Sequence, residues 1–233
     1  MKKINELKKE LEELSNKKQK EISQKFFKTG KGEYAEGDIF LGIKVPVMRA
    51  LARGFYDLSL NDLQTLLKSK IHEHRFIALV ILSEKFKIAD LEYQEAIYRL
   101  YLENTKNINN WDLVDISAPN IVGAYLKDKD RRVLYTLAGS KNLWERRIAI
   151  VSTFTFIRNN DFFETITISE LLINDPHDLI HKASGWMLRE MGKKDEKTLK
   201  KFLNKFKEKM PRTMLRYAIE KFKPEERKKY LAK

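Results

Sequence analysis

The sequence predicts an all-α fold built of stacked helix pairs, and three observations support it. Apolar residues recur at three- and four-residue intervals almost everywhere, as in Leu63, Leu66 and Leu67, a spacing typical of amphipathic helices. No segment has the convincing alternation of apolar and polar residues that indicates a half-buried strand. Nine glycines and five prolines among 233 residues are about half of average usage, which argues against turn-rich β folds.

Short polar clusters divide the chain into roughly a dozen predicted helices of about 10 to 20 residues. Ser59 and Asp175 are each expected to cap a helix, because their side chains accept hydrogen bonds from the unpaired N–H groups of a first turn. Pro176 suits the first helical position after Asp175. Either Asn109 or Asn110 caps the helix that begins near Trp111. The longest predicted connection is the glycine-containing stretch from residue 28 to 38.

A repeated alanine, preceded two to four residues earlier by a charged residue, marks successive units. The alanines are Ala78, Ala118, Ala149, Ala183 and Ala218. Their separations of 31 to 40 residues match the length of a helix-pair unit. Small residues at equivalent points let neighbouring helices approach closely, which predicts a curved α-solenoid of antiparallel helix pairs over residues 1–233, with one core and a single domain.

The charged partners of these alanines are expected to line a concave wall. They are Arg75, Asp115, Arg146 with Arg147, Lys182, and Arg216. Four of the five positions are basic, and the whole chain carries a formal net charge of +13. A concave basic groove complements the phosphate backbone of duplex DNA. The alternative is an unspecific charged surface, because so basic a chain places lysine and arginine on every solvated face.

Several classes of protein are disfavoured. The absence of cysteine excludes disulfides and thiolate metal sites, and it fits a reducing cytoplasm. The charged, helical-period start is not a signal peptide, and the longest uncharged apolar run, Phe76–Leu82, is too short to span a membrane. His177 and His181 lack the further ligands of a metal site. We therefore expect a cytoplasmic protein without a metal or an organic cofactor.

One helix carries the residues best suited to chemistry. Trp111 and Asp115 lie one turn apart and share a face, whereas Asp112 points about 100° away. Asp112 is interpreted as a first-turn acid favoured by the helix dipole. Asp115 would be a lone carboxylate among cations, which would hold it ionised at neutral pH. It forms either a structural salt bridge or a catalytic group.

A second aromatic position lies near the carboxyl-terminal end of the chain. Trp186 and Arg189 are three residues apart and share a helix face, with Gly185 beside the tryptophan. Trp186 is either a core residue or part of a site that attracts a positively charged group, since aromatic faces bind cations.

Four motifs in order resemble the AlkD-like DNA alkylation-repair glycosylases, which are built of HEAT-like helical repeats. The resemblance runs from about Lys25 to Phe222. Its motifs are FLGIKVPVMR (40–49), NNWDLVD (109–115), NLWERRIAI (142–150) and IHKASGWMLRE (180–190). The family excises cationic alkylated purines, such as 3-methyladenine and 7-methylguanine, from duplex DNA without flipping the base into a pocket. The resemblance therefore implies that activity.

The resemblance also implies roles for individual residues. The catalytic cleft of the family falls on Trp111, Asp115 and Trp186. DNA-backbone contacts fall on Arg147, Arg189 and Lys44, and an aromatic contact falls on Phe27, which lacks the hydroxyl of the family's tyrosine. The remaining basic positions, Arg75, Arg146, Lys182 and Arg216, are expected to contact DNA as well. The loop around residues 28–38 could also rest on the DNA.

Two other functions remain open. The same scaffold could bind bent or branched DNA without catalysis, because fold does not determine function. A helical-repeat scaffold for another protein would bind with little dependence on salt, whereas DNA binding weakens steeply as salt rises. The presence of Asp115 with two tryptophans favours the enzyme, which we expect to act as a monomer on DNA that contains alkylated bases.

Overall fold

The computed structural model describes residues 2–232, which contain fifteen α-helices and no β-strand. The predicted all-α class is thus confirmed. The chain divides into two compact units, one ending at Ser117 and the other beginning at Ala118. The curved solenoid with its concave groove and the single domain over residues 1–233 stay predictions. No helix between residues 2 and 232 is long and apolar enough to cross a membrane.

Seven helices form the first unit. They are α1 (Lys2–Glu13), α2 (Lys17–Phe26), α3 (Val45–Ala52), α4 (Leu60–Leu67), α5 (His72–Ile88), α6 (Leu91–Glu103) and α7 (Trp111–Ser117). Short 3₁₀ turns follow α3, at Arg53–Phe55, and α6, at Thr105–Asn107. Helices α3, α4, α6 and α7 all pack against α5. Helix α5 is buried from His72 to Ser83, and its middle part, residues 76–82, is apolar on every side, as expected of a buried helix.

The first turn of α5 holds the preceding loop in place. The main chain of Ile39 accepts a hydrogen bond from the His72 N–H at 2.8 Å and donates one to the Lys70 carbonyl at 3.2 Å. The buried Glu73 carboxylate accepts from three successive N–H groups, those of residues 41, 42 and 43, at 2.9, 2.8 and 3.3 Å. The segment before α3 is therefore fixed to α5 although it has no regular secondary structure.

Gly42 is required in this segment for two reasons. Its φ of +81° lies in the left-handed region, where residues with a Cβ are disfavoured. A Cβ at this position would also lie 2.3 Å from the backbone nitrogen of Lys20. The FLGIKV motif thus contains a glycine because α2 passes directly over its backbone.

The second unit contains the remaining helices. They are α8 (Arg132–Ala138), α9 (Leu143–Ser152), α10 (Phe154–Arg158), α11 (Phe163–Leu171), α12 (Asp178–Lys194), α13 (Glu196–Phe206), α14 (Arg212–Ala218) and α15 (Pro224–Leu231), preceded by a π-helical turn at Pro119–Gly123. Helix α12 packs against α9, α10, α11, α13 and α14. It approaches α14 tightly at Gly185, where a Cβ would lie 2.5 Å from the Met214 carbonyl oxygen.

The repeated alanines are buried, which agrees with their predicted place between packed helices. Ala218 is 1% exposed and the other four have no exposed surface. Ser59 caps α4 through a reciprocal pair of hydrogen bonds with Asp62, as predicted. Asn110, rather than Asn109, accepts a hydrogen bond from the first N–H of α7 at 2.8 Å.

The predicted start of α12 at Pro176 was wrong. The helix begins at Asp178, and His177 is the residue whose side chain accepts from the N–H of Leu179. The Asp175 carboxylate accepts from the His177 N–H at 2.8 Å, just before the helix, and from the guanidinium of Arg146 at 2.6 Å. The side chain that the sequence pattern assigned to a cap thus binds the backbone before the helix and also forms a partly buried ion pair with Arg146.

Candidate functional site

Trp111 begins α7 and lies in a cluster of aromatic side chains. Its ring stacks on Phe27 with centroids 5.3 Å apart and planes at 28°, and Phe26 meets it edge-on at 5.8 Å. The indole N–H donates to the Tyr34 hydroxyl at 3.3 Å. Trp111 and Phe27 are half-buried, whereas Phe26 is 63% exposed. The cluster thus supports one tryptophan face and leaves part of its surface accessible.

Below Phe27 the aromatic stack continues into the protein. Phe27 lies parallel to Phe40 at 5.0 Å with planes at 12°, and Phe40 lies over the imidazole of His72 at 4.3 Å. Rings stacked with such offsets contribute beyond their buried area. The residue that ends α2, the following loop and α5 each supply a layer of the support for Trp111.

His72 connects this aromatic stack to a buried group of charges that we call the charge cluster: Asp38, His72, Arg75 and Asp112. His72 Nε2 lies 2.8 Å from Asp112 Oδ2, and His72 Nδ1 lies 3.5 Å from Asp38 Oδ2. The Arg75 guanidinium lies 2.7 Å from the same Asp38 oxygen, and the Asn109 amide donates to the other Asp38 oxygen at 3.0 Å. The two carboxylates and two cations compensate one another, as buried charges require.

The charge cluster shifts the pKa values of its members. Burial alone would raise the pKa of Asp38, but the hydrogen bond from His72 and the charge of Arg75 hold it below its usual value. Burial alone would lower the pKa of His72, but Asp112 and Asp38 raise it to about 9. The cluster therefore contains an ionised Asp38 and a protonated His72 at neutral pH.

Two sequence-based expectations need correction here. Arg75 is buried, with 3% exposure, and its guanidinium is engaged by Asp38 and by the Ser69 carbonyl at 2.7 Å, so it does not line an accessible basic wall. Asp112 does lie in the first turn of its helix, but its carboxylate binds His72. The contact with His72 therefore explains the position of Asp112 in addition to the helix dipole.

Asp115 lies one turn beyond Trp111 on α7 and is half-buried. Its charge lies near Tyr101, whose hydroxyl bonds the Ser117 hydroxyl at 3.0 Å. Burial, and to a smaller extent the charge of Asp115, raises the pKa of the Tyr101 hydroxyl. Tyr101 therefore stays neutral beside this carboxylate.

In the second unit, Arg146 and Arg147 are adjacent on α9. Arg147 is buried, and its guanidinium donates to the Leu179 carbonyl at 2.6 Å. Arg146 donates to both oxygens of Asp175, at 2.6 and 3.3 Å. Both arginines therefore connect α9 to the start of α12 and are held in fixed positions.

Helix α12 presents Lys182, Trp186 and Arg189. Lys182 pairs with Asp178 at 2.7 Å, and Arg189 pairs with Glu220. Trp186 is half-buried, and its ring lies 5.8 Å from that of Phe154. Trp186 is thus neither a fully buried core residue nor a freely exposed one.

Lys44 and Arg216 are exposed, unlike the other predicted contact residues. Lys44 precedes α3 and makes no capping hydrogen bond with its side chain. A cation at the amino-terminal end of a helix adds to the positive potential of the helix dipole, so this end of α3 attracts anions. Arg216 lies in the last turn of α14.

Sequence reasoning missed His72, Asp38 and Tyr34 as supports of the site. The available signal was the polar start of α5: the segment HEHR (72–75) directly precedes the apolar run at residues 76–82, and polar side chains on a buried helix need partners. Among residues 2–232, no group of three or more histidine, aspartate or glutamate side chains is placed to hold a metal ion.

The helices, the supported tryptophan and the neighbouring carboxylate define an all-α protein with a candidate polar site. The family model described as DNA alkylation repair enzyme matches residues 7–222. The chain therefore belongs to the DNA alkylation repair enzyme family.

A solved structure gives an independent comparison. A protein described as a predicted DNA alkylation repair enzyme from Enterococcus faecalis has 16% sequence identity and a TM-score of 0.69, over 90% of this chain and 97% of that chain. At this identity the likeness establishes a shared fold. No curated protein sequence matches the chain significantly.

Proposed function

We propose that the protein is a DNA glycosylase that removes positively charged alkylated purines, such as 3-methyladenine and 7-methylguanine, from duplex DNA without base flipping. The observation that carries the proposal is the pairing on α7 of a half-buried Trp111, stacked on Phe27, with a half-buried Asp115 one turn away. Membership of the DNA alkylation repair enzyme family supports the same substrate class.

The chemistry needs few groups from the protein. In an alkylated purine the ring already carries a positive charge, so the electron pair of the breaking C1′–N bond neutralises it and the base leaves without a general acid. The deoxyribose that remains is an oxocarbenium ion. Water attacks its C1′ and loses a proton, which completes the hydrolysis. No metal or organic cofactor takes part in this scheme.

Asp115 supplies negative charge where positive charge develops, and it orients the attacking water. Preorganised charges of this kind typically account for about 100- to 1,000-fold in rate. Trp111 presents its aromatic face to the same cationic sugar, an attraction of about 0.5 to 2 kcal/mol. By resemblance to the family, Trp186 supplies a second aromatic contact, and Lys44, Arg147 and Arg189 contact the DNA backbone.

The direct test is base release from methylated duplex DNA by the purified protein. We expect Asp115→Asn to lower single-turnover release by about 100-fold or more while duplex binding stays within twofold. Asp128→Asn, which removes an exposed acid from a turn, is the matched control and should release bases as the parent does.

Two outcomes would contradict the proposal: no release above background by the parent protein, or equal release by Asp115→Asn. Duplex binding without any release would favour the alternative, a non-catalytic binder of bent or branched DNA. We further propose that the protein acts as a monomer in the cytoplasm, which a mass measurement in solution and cell fractionation would test.

A further inference from the structure

His72 has both ring nitrogens directed at carboxylates. Nε2 lies 2.8 Å from Asp112 and Nδ1 lies 3.5 Å from Asp38. A neutral imidazole has one N–H donor and one acceptor nitrogen, whereas an imidazolium donates from both. Carboxylate oxygens only accept when ionised, so this geometry fits the doubly protonated ring.

The surroundings of His72 restrict it to this arrangement. Its side chain is 2% exposed, and Phe40 and Phe27 lie over the ring with centroids 4.3 and 5.3 Å away. The ionisable groups that face it are Asp38 from the loop before α3, Arg75 from α5 and Asp112 from α7. The neighbouring Glu73 is occupied by the backbone N–H groups of residues 41 to 43.

The contact with Asp112 reaches the start of α7. Asp112 directly follows Trp111 and precedes Asp115 by three residues, so the three residues lie within the first turn and a half of one helix. On the other side, Phe40 and Phe27 carry the contact from the His72 ring to the Trp111 ring. His72 thus reaches Trp111 by two routes, one polar and one aromatic.

We infer that His72 is a positioning residue whose buried imidazolium, held between Asp112 and Asp38, fixes the first turn of α7 and so sets the orientation of Trp111 and Asp115. The inference rests on the proposed function in that these two side chains are the ones proposed to act on the substrate. Deprotonation of His72 at alkaline pH removes one N–H donor and leaves a buried carboxylate with a repulsive neighbour, which loosens the first turn.

The experiment uses full-length protein labelled with 5-fluorotryptophan, which gives one ¹⁹F signal for each of the three tryptophans. The Trp111 signal is assigned with Trp111→Phe. We expect it to shift between pH 7 and pH 10 with a midpoint near 9. Asp112→Asn keeps an acceptor for His72 but removes the charge, so it should move the midpoint at least one pH unit lower.

A second readout connects the position of Trp111 to catalysis. His72→Phe retains a ring next to Phe40 and Phe27 but has no N–H donor. We expect it to lower single-turnover base release at least 10-fold, with duplex affinity within twofold, and to abolish the ¹⁹F titration. The alkaline fall in base release by the parent should follow the same midpoint as the ¹⁹F signal.

A Trp111 signal that does not titrate in the parent, or an unchanged midpoint in Asp112→Asn, would overturn the inference. Full activity of His72→Phe would also overturn it. If His72→Phe does not fold, Asp112→Asn supplies both readouts. Absence of base release by the parent would instead refute the proposed function, and the ¹⁹F titration would still decide whether His72 positions Trp111.

Discussion

The Trp111 ring stacks on the Phe27 ring, with centroids 5.3 Å apart and planes at 28°. The two residues are 84 positions apart in the sequence, so the amino-terminal helices directly support the start of α7. The adjacent Phe26 meets the same indole by its edge only and stays mostly exposed. The two neighbouring phenylalanines therefore provide a matched pair for mutation.

We expect Phe27→Ala to lower the free energy of unfolding by about 2 kcal/mol, less than for a fully buried phenylalanine because Phe27 is half-buried. It should also slow base release, since Trp111 loses its stacking partner. Phe26→Ala should lower the free energy of unfolding by less than about 1 kcal/mol. Denaturant titrations of the two variants measure the difference, and equal losses would contradict this role for Phe27.

Two histidines on α5 should give stability opposite dependences on pH. The pKa of His72 is raised to about 9, and burial lowers the pKa of His74 to about 4. The folded state holds the His72 proton that the unfolded state loses above pH 6.5, so stability falls as pH rises toward 9. The unfolded state binds a proton at His74 below pH 6.5, so stability also falls as pH drops toward 4.

Each histidine changes the free energy of unfolding by at most about 3 kcal/mol. Together they favour a stability maximum near pH 6.5. Urea unfolding across this range should lose its alkaline slope in His72→Gln and its acidic slope in His74→Gln. If the free energy of unfolding changed equally with pH in His72→Gln and the parent between pH 6.5 and 9, the protonated state assigned to His72 would be refuted.

The two basic residues Lys44 and Arg75 should respond differently to neutralisation. Lys44 is exposed, and Lys44→Gln should reduce the slope of log affinity for duplex DNA against log salt by about 1. Arg75→Gln should leave that slope unchanged but destabilise the fold by about 3 kcal/mol, because Asp38 loses its buried partner. If folded Arg75→Gln also reduced the slope of log affinity against log salt, the buried, structural role of Arg75 would be contradicted.

Close packing of α12 on α14 predicts the effect of one methyl group. In Gly185→Ala the added Cβ meets the Met214 carbonyl oxygen at 2.5 Å and the Tyr217 Cβ at 2.6 Å, so we expect a loss of about 1 to 3 kcal/mol. A Cβ at Gly54 would meet nothing within 4 Å, which makes Gly54→Ala the control. Thermal unfolding compares them, and similar midpoints would argue against the tight contact.

The periodicity of the sequence was sufficient to predict the all-α class, the burial of the repeated alanines and the cap at Ser59, because these depend on residues close in the chain. The periodicity did not predict contacts between residues far apart in the sequence. The pattern could not indicate that Asp38 would bind His72 and Arg75, more than thirty positions away, or that Asp175 would bind Arg146.

The same distinction between local and long-range contacts applies to the candidate site. Trp111 and Asp115 were predictable as a pair because one helical turn separates them. The support beneath Trp111 comes from three distant segments, represented by Phe27, Phe40 and His72, and no local spacing encodes how they meet. The roles of Trp186, Arg147 and the other contact residues stay predictions.

The three N–H groups held by Glu73 have a kinetic consequence. Hydrogen exchange at residues 41, 42 and 43 requires the carboxylate to release them, and Glu73 moves away only when the first turn of α5 opens. These amide protons should therefore exchange as slowly as those of the buried helix. We therefore expect the loop segment before Lys44 to open and close together with the core.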